Sequence, residues 1–214
     1  MSVVITGANR GIGAGLYDIY AARGPVIGTS RRGDTPFAAL DVTDASSLNA
    51  FKETLGDTPV ELLICNAGVY FDKGHGLSTG YDADLWAKTF ATNVTGVFLT
   101  VQSLLPNLKV AQTPKIAIIS SIMASSSRAP GGSYIYRSSK AAVLNLGRNM
   151  AQDLKADNIA VGIYHPGWVQ TDMGGAEADI DTNTSVKGLV ERFDALSLAT
   201  TGVFEGYDGT QMLY

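Results

Sequence analysis

The sequence predicts an α/β fold, a doubly wound and mostly parallel sheet of about seven strands with helices on both faces. Three observations carry that prediction. Short β-branched and aliphatic runs alternate with segments of helical periodicity along the whole chain. The first strand ends in a glycine-rich turn, and later strands end in polar or glycine-containing turns. No repeat and no linker divides the 214 residues, which suffice for one large core and are short for two.

The elements follow in order. Val3-Val4-Ile5 is a strand that stops at Thr6-Gly7-Ala8-Asn9-Arg10-Gly11-Ile12-Gly13. A helical pattern follows through Ala22, with Ile12, Leu16, Ile19 and Tyr20 on one side. Strand, glycine turn and helix open a nucleotide-binding βα unit. One glycine permits the tight turn, another lets a diphosphate approach the backbone, and a third lets helix and strand pack closely. The first-turn N–H groups then face the anion. The spacing is G-x-x-x-G-x-G, unlike the commonest dinucleotide fingerprint.

Val26-Ile27-Gly28-Thr29 is the second strand and delivers Ser30, Arg31 and Arg32. An acidic residue near this place holds ribose hydroxyls in NAD sites, and an arginine accommodates a 2′-phosphate. Ser30 and Arg31, with Arg10 from the glycine turn, favour NADP(H); Asp34 in the next loop keeps NAD(H) as the alternative. Only Gly33 to Phe37 precede a small strand at Ala38-Ala39-Leu40, which leaves no room for a crossover helix. Asp41-Val42-Thr43-Asp44 follows, with Asp44 the N-cap of a helix to about Leu55.

Glu61-Leu62-Leu63-Ile64-Cys65 is a buried strand ending at Asn66-Ala67-Gly68, and residues Val69 to Gly80 form a loop. One long helix is expected from near Asp82 through Trp86, Phe90, Asn93, Val97 and Val101 towards Pro106. Lys115-Ile116-Ala117-Ile118-Ile119 delivers Ser120 and Ser121, and Ala124 to Ser133 is a loop. A helix carrying Tyr136 runs to about Lys155, and Ala160 to Tyr164 is a strand ended by His165-Pro166-Gly167-Trp168. A helix from about Thr184 to Leu196 and a closing strand at Val203-Phe204-Glu205 complete the chain. Ligands of such sheets collect beyond the strands' carboxyl ends, where all these turns fall.

Tyr136 and Lys140 lie four residues apart, hence one helical turn apart on one face. A phenol ionises near pH ~10, and a cation within a few ångströms favours the phenolate. A shift of ~3 pH units corresponds to roughly 4 kcal/mol, and such a tyrosine exchanges protons with a carbonyl or alcohol oxygen near neutral pH.

Composition narrows the partners. The net charge of −4 gives no reason to expect nucleic acid or an anionic membrane. No apolar run approaches the ~18 residues of a membrane span. Cys65, the one cysteine, is expected to be a buried inert thiol. His75 and His165 do not combine with it or with carboxylates at metal-ligand spacing, so no metal is expected. The N-terminus lacks a signal-peptide pattern, which points to the cytoplasm.

Thr6-Gly7-x-x-x-Gly11-x-Gly13, Asp41-Val42, Asn66-Ala67-Gly68, Asn93, Ile119-Ser120-Ser121, Tyr136-x-x-x-Lys140 and Pro166-Gly167 occur in one order over about residues 2 to 205. In that order the chain resembles the short-chain dehydrogenase/reductase family. The segments around Tyr134 to Lys140, Pro166 to Gly175 and Tyr207-Asp208-Gly209 resemble its sniffer/C-factor branch of carbonyl-reductase-like members. The expected architecture is a single Rossmann-type domain over residues 1–214, strand order 3-2-1-4-5-6-7.

The resemblance implies an NADPH-dependent reductase of small or medium aldehydes and ketones. Tyr136 would be the general acid or base, and Lys140 would lower its pKa and bond the nicotinamide ribose. Ser121 would bind the substrate oxygen, with Ser120 the alternative, because the 15-residue interval to Tyr136 is long for the family. Residues Met123 to Gly132 should therefore bulge. Asn93 would hold a water linking Lys140 to solvent. Asp41 and Val42 would meet the adenine, and Asn66, Ala67 and Gly68 the adenosine ribose. Pro166, Gly167, Val169 and Thr171 would meet the nicotinamide end. Trp168, Met173, Tyr134 and Met123 would line the substrate pocket. Relatives also imply a homodimer or homotetramer through the Asn93 and Tyr136 helices. The rival readings are an NADP(H)-binding signalling protein with little turnover, and a sugar-nucleotide epimerase or dehydratase, for whose substrate domain the chain has no space.

Overall fold

The computed structural model describes residues 2–214. Its strands are β1 (Val3–Ile5), β2 (Val26–Ser30), β3 (Ala38–Ala39), β4 (Leu62–Cys65), β5 (Lys115–Ile119), β6 (Ala160–His165) and β7 (Phe204–Gly206). They form one sheet in the order β3-β2-β1-β4-β5-β6-β7. Every pairing between them is parallel, so the mostly parallel sheet expected from the sequence is parallel throughout. The strand order reverses at β1, which pairs with β2 on one side and β4 on the other. That reversal opens the crevice in which ligands of such sheets bind.

Helices cover both faces because successive strand residues point to opposite sides. Val4, Leu63, Cys65, Ile116 and Ile118 pack against α2 (Ala45–Leu55), α4 (Gly96–Lys109) and α5 (Tyr134–Asp153). Val3, Ile5, Leu62, Ile64 and Ala117 pack against α1 (Gly11–Ala21) and α6 (Thr182–Ala195). Each fully buried Leu or Ile contributes roughly 2 kcal/mol. Asp44 caps α2 by accepting from Ser46 N at 3.0 Å, and Asp181 caps α6 from Thr184 N at 2.7 Å. None of the helices among the described residues is long and apolar enough to cross a membrane.

The long helix expected near Asp82 is divided. Helix α3 (Ala83–Phe90) passes into a π-helical turn at Ala91–Thr95 before α4 begins. The wider turn carries Asn93, whose side chain bonds Val69 and Ser139. Gly96, just after it, packs so closely that a Cβ there would lie 2.8 Å from Val42 Cγ2. Helix α4 also runs past Pro106 to Lys109. Between β5 and α5, Ile122–Ala124 form a single 3₁₀ turn, and residues 126–132 are exposed. This is the bulge that the long interval before Tyr136 requires.

Candidate active site

The glycine turn is held by side chains at the ends of β1 and β4. Thr6 Oγ1 accepts from the backbone N–H groups of Asn66 and Ala67, both at 3.0 Å. Asn66 Nδ2 donates to the carbonyls of Thr6 and Gly7 at 2.9 and 3.0 Å. Gly7 and Gly11 adopt φ of +66° and +53°, which favour glycine. Gly13 has no room for a side chain, since a Cβ would lie 2.1 Å from the Gly7 carbonyl oxygen. Helix α1 starts at Gly11 without a side-chain cap from Arg10. Its first N–H groups therefore face an open cleft, an arrangement that fits the diphosphate of a dinucleotide.

That cleft has a volume of about 760 Å3 and runs along the carboxyl edge of the sheet. Gly7, Asn9, Arg10, Gly11, Ile12 and Gly13 line its floor. Ser30, Arg31, Asp41 and Val42 line one end, joined there by Arg32 and Asp34. Asn66, Ala67 and Gly68 line the middle, and Pro166, Thr171, Tyr136 and Lys140 the other end. Among the described residues neither Arg31 nor Arg32 forms an ion pair. Arg10 reaches across the cleft to Asp172 at 3.2 Å, and both side chains are exposed. The Asp41 carboxylate accepts from Thr43 N and Thr43 Oγ1 at 2.9 and 2.7 Å.

At the far end, Tyr136 and Lys140 project from the first two turns of α5, and both are buried. Lys140 Nζ lies 5.6 Å from the centre of the Tyr136 ring and donates to the Ile119 carbonyl at 2.9 Å. Burial pushes the Lys140 ammonium down to about 8. Burial also holds the Tyr136 phenol well above its ordinary value, while a hydrogen bond with the Ser121 side chain works in the opposite direction. The four-residue spacing brings the Lys140 amine close to the Tyr136 ring, and burial opposes ionisation of the phenol. Desolvation dominates, and the amine that was to favour the phenolate is itself desolvated and turned to Ile119.

The two serines after β5 separate by their partners. Ser120 lines the cleft, but its hydroxyl donates to the Lys140 carbonyl at 3.1 Å. The Ser121 oxygen accepts from Met123 N at 3.1 Å, and its hydroxyl lies within hydrogen-bond reach of the phenol.

Four expected site residues do not line the cleft: Ser121, Asn93, Gly167 and Val169. Ser121 is buried and hydrogen-bonds the phenol. Asn93 is buried with both Nδ2 protons engaged, by the Val69 carbonyl at 2.9 Å and Ser139 Oγ at 3.0 Å. Its side-chain oxygen also accepts from Val69 N at 2.9 Å. Gly167 lies under Ile180 and Tyr207, and Val169 is buried in a bridge to Ile180. Of the side chains expected around a substrate, Met173 lines the cleft and Met123, Tyr134 and Trp168 do not. The Trp168 indole donates to the Gly174 carbonyl at 3.0 Å. Cys65, buried at the end of β4, has a thiol pushed up to about 12 by burial. No group of three or more metal-ligating side chains occurs among the described residues.

Two residues at the site had no signal in the sequence. The Tyr70 ring stacks on the Tyr136 ring, 4.2 Å between centres and 22° between planes. Asp72 accepts from the backbone N–H of Ile135 at 2.9 Å and of Tyr136 at 3.2 Å. Both belong to the loop after β4, some sixty residues before the helix they touch. No local spacing rule connects them to it.

A family profile for short chain dehydrogenase matches residues 1–181. The C-signal protein of Myxococcus xanthus is 36% identical over 168 residues, covering 77% of this chain and 99% of that protein. The structure of an NADPH-bound carbonyl reductase from chicken fatty liver superposes with a TM-score of 0.92 at 29% identity, covering 100% of this chain and 98% of that one. The carbonyl reductase Sniffer of D. melanogaster superposes with a TM-score of 0.92 at 27% identity, covering 100% of this chain and 99% of that one.

Proposed function

The chain belongs to the short-chain dehydrogenase family, and from that premise we propose that it is an NADPH-dependent carbonyl reductase in which Tyr136 donates the proton. The observation that carries the reading is a buried phenol, hydrogen-bonded to the Ser121 hydroxyl and one helical turn from Lys140, at one end of a glycine-lined cleft. The bound nicotinamide nucleotide would supply the hydride. The likeness to an NADPH-bound carbonyl reductase supports that choice of cofactor. So do Arg31 and Arg32, which have no carboxylate partner among the described residues.

The chain's own residues would do the rest. The glycine turn and the uncapped start of α1 hold a diphosphate against backbone N–H groups. Arg31, with Arg32 and Arg10 nearby, takes a 2′-phosphate. Asp41 and Val42 flank the adenine, and Asn66 to Gly68 support the adenosine ribose, Asn66 chiefly by bracing the turn. Lys140 bonds the second ribose. The Ser121 proton steadies the substrate oxygen as negative charge grows on it, and Tyr136 then protonates that oxygen. Atoms balance: hydride reaches carbon, the phenol proton reaches oxygen, and the phenolate regains a proton from solvent.

The test is a panel of small and medium aldehydes and ketones, followed by the loss of NADPH absorbance. Turnover on at least one class, with NADH much poorer, is the expected result. Tight NADPH binding with no turnover on any carbonyl would refute the enzyme reading. It would favour an NADP(H)-binding signalling protein, the reading that the likeness to a protein named C-signal suggests.

A further inference from the structure

Helix α5 carries the proton donor yet lacks a cap of its own. Its N-cap residue, Ser133, is in the left-handed region at φ 49° and makes no side-chain cap hydrogen bond. The first turn also contains no acidic side chain. Orphan N–H groups at a buried helix start need an acceptor. Asp72 supplies it from the loop after β4, through the N–H groups of Ile135 and of Tyr136 itself.

The carboxylate is unusual in its surroundings. Asp72 is fully buried, and no Lys, Arg or His lies within ion-pair distance of it among the described residues. Its neighbour Lys73 turns away to the carbonyls of Met173 and Gly174, both at 3.3 Å. Two N–H bonds and the positive end of α5 are therefore what hold a buried charge. The same loop grips the other side of the donor. Tyr70 stacks on the Tyr136 ring, and its hydroxyl bonds Ser133 Oγ. Residues 70–72 thus fix both the ring and the backbone of one tyrosine.

We propose that Asp72 is the positioning residue of the proton donor: its carboxylate anchors the backbone of Tyr136 at the start of α5 and stands beside the residue that gives up the proton. The proposal rests on the reductase reading above. The groups that face the phenol are Tyr70 and Asp72 from the loop after β4, Ser121 from the segment after β5, and Lys140 from α5. Burial keeps the phenol protonated, Ser121 opposes that, and Tyr70 and Asp72 add to it. A negative charge near a phenol disfavours the phenolate. The Asp72 carboxylate therefore adds to the burial that keeps Tyr136 protonated, which suits carbonyl reduction.

Two variants of the full chain separate charge from capping. Asp72→Asn removes the charge and retains one acceptor, whereas Asp72→Ala removes both. For carbonyl reduction by NADPH, kcat/KM is followed from about pH 6 to about pH 10, which brackets ordinary phenol ionisation. The alkaline fall in Asp72→Asn is expected at lower pH than in the wild type, with NADPH affinity within about threefold. In Asp72→Ala the Ile135 and Tyr136 amides should exchange with solvent about tenfold faster, as loss of a helix cap implies. Should that variant not fold, Asp72→Asn carries both readouts. Superimposable pH profiles overturn the charge role, even if turnover falls equally at every pH. Unchanged amide exchange overturns the positioning role whatever the activity. A wild-type chain that reduces no carbonyl refutes the reductase reading instead, and the exchange result still decides the anchoring.

Discussion

Replacing Gly13 by alanine strikes the glycine turn where it has least tolerance. The new Cβ would stand 2.1 Å from the Gly7 carbonyl oxygen and 2.5 Å from Asn66 Nδ2. The first contact is with backbone, so no change of rotamer relieves it. If Asn66 yields, it loses the bonds that tie β4 to Thr6 and Gly7. Overpacking a filled site costs ~1–3 kcal/mol, and each lost hydrogen bond costs roughly 1 kcal/mol. With both Asn66 bonds lost, a total of about 3–5 kcal/mol follows. In a chain of this size ~1 kcal/mol corresponds to about 2–4 °C, so Tm should fall by roughly 10 °C in calorimetry. The displaced turn should also weaken NADPH binding by at least about tenfold, since the phosphate-facing N–H groups move with it. Gly11→Ala is the control. Its Cβ meets only the Thr171 side chain, with Cγ2 at 3.3 Å, so the cost is mainly that of a positive φ, ~1 kcal/mol. If Gly13→Ala melted and bound NADPH like the wild type, the close-packed turn could not be what shapes the phosphate site.

Arg31→Ala should weaken NADPH by about 10- to 100-fold, the range expected for a hydrogen bond to a charged group, and leave NADH nearly unchanged. Equal losses for both nucleotides in paired titrations would move the 2′-phosphate elsewhere. His165, at the end of β6, has its pKa pushed down to about 4, chiefly by burial, and its Nδ1 has no hydrogen-bond partner. The unfolded chain takes up this proton first as pH falls from ~6.5, so stability is full above that value and declines towards pH 4. Between pH 7 and pH 5 the loss due to His165 is about 2 kcal/mol in denaturant titrations. His165→Gln should abolish that component, and an identical slope in both proteins would show that the histidine is not held neutral.

Much of the fold was legible because its determinants are local. Val3-Val4-Ile5 before Gly7 and Lys115 to Ile119 before Ser120 read as buried strands, and both are strands of the sheet. The five residues from Gly33 to Phe37 excluded a crossover helix, and β3 follows without one. The glycine positions in the first turn were readable from the close approach of β1, β4 and α1 that such a unit demands. What escaped depends on contacts between distant segments. Nothing near Asn93 announces a π turn, because the cause is the reach of its side chain to Val69 and Ser139. Tyr70 and Asp72 look like ordinary loop residues until the loop folds onto α5. The four-residue spacing says less about the phenol. Spacing fixes that Lys140 is near Tyr136, but not that its amine turns to Ile119 or that both groups are buried.

The central claim is that Tyr136 supplies the proton, and Tyr136→Phe tests it with the ring and its stacking on Tyr70 preserved. NADPH affinity should stay within about threefold of the wild type. Turnover of the best carbonyl in single-turnover and steady-state assays should fall by more than ~100-fold, the lower end of what general acid catalysis contributes. A variant that binds NADPH and reduces the same carbonyl within a few-fold of the wild-type rate would contradict the account and require a different acid.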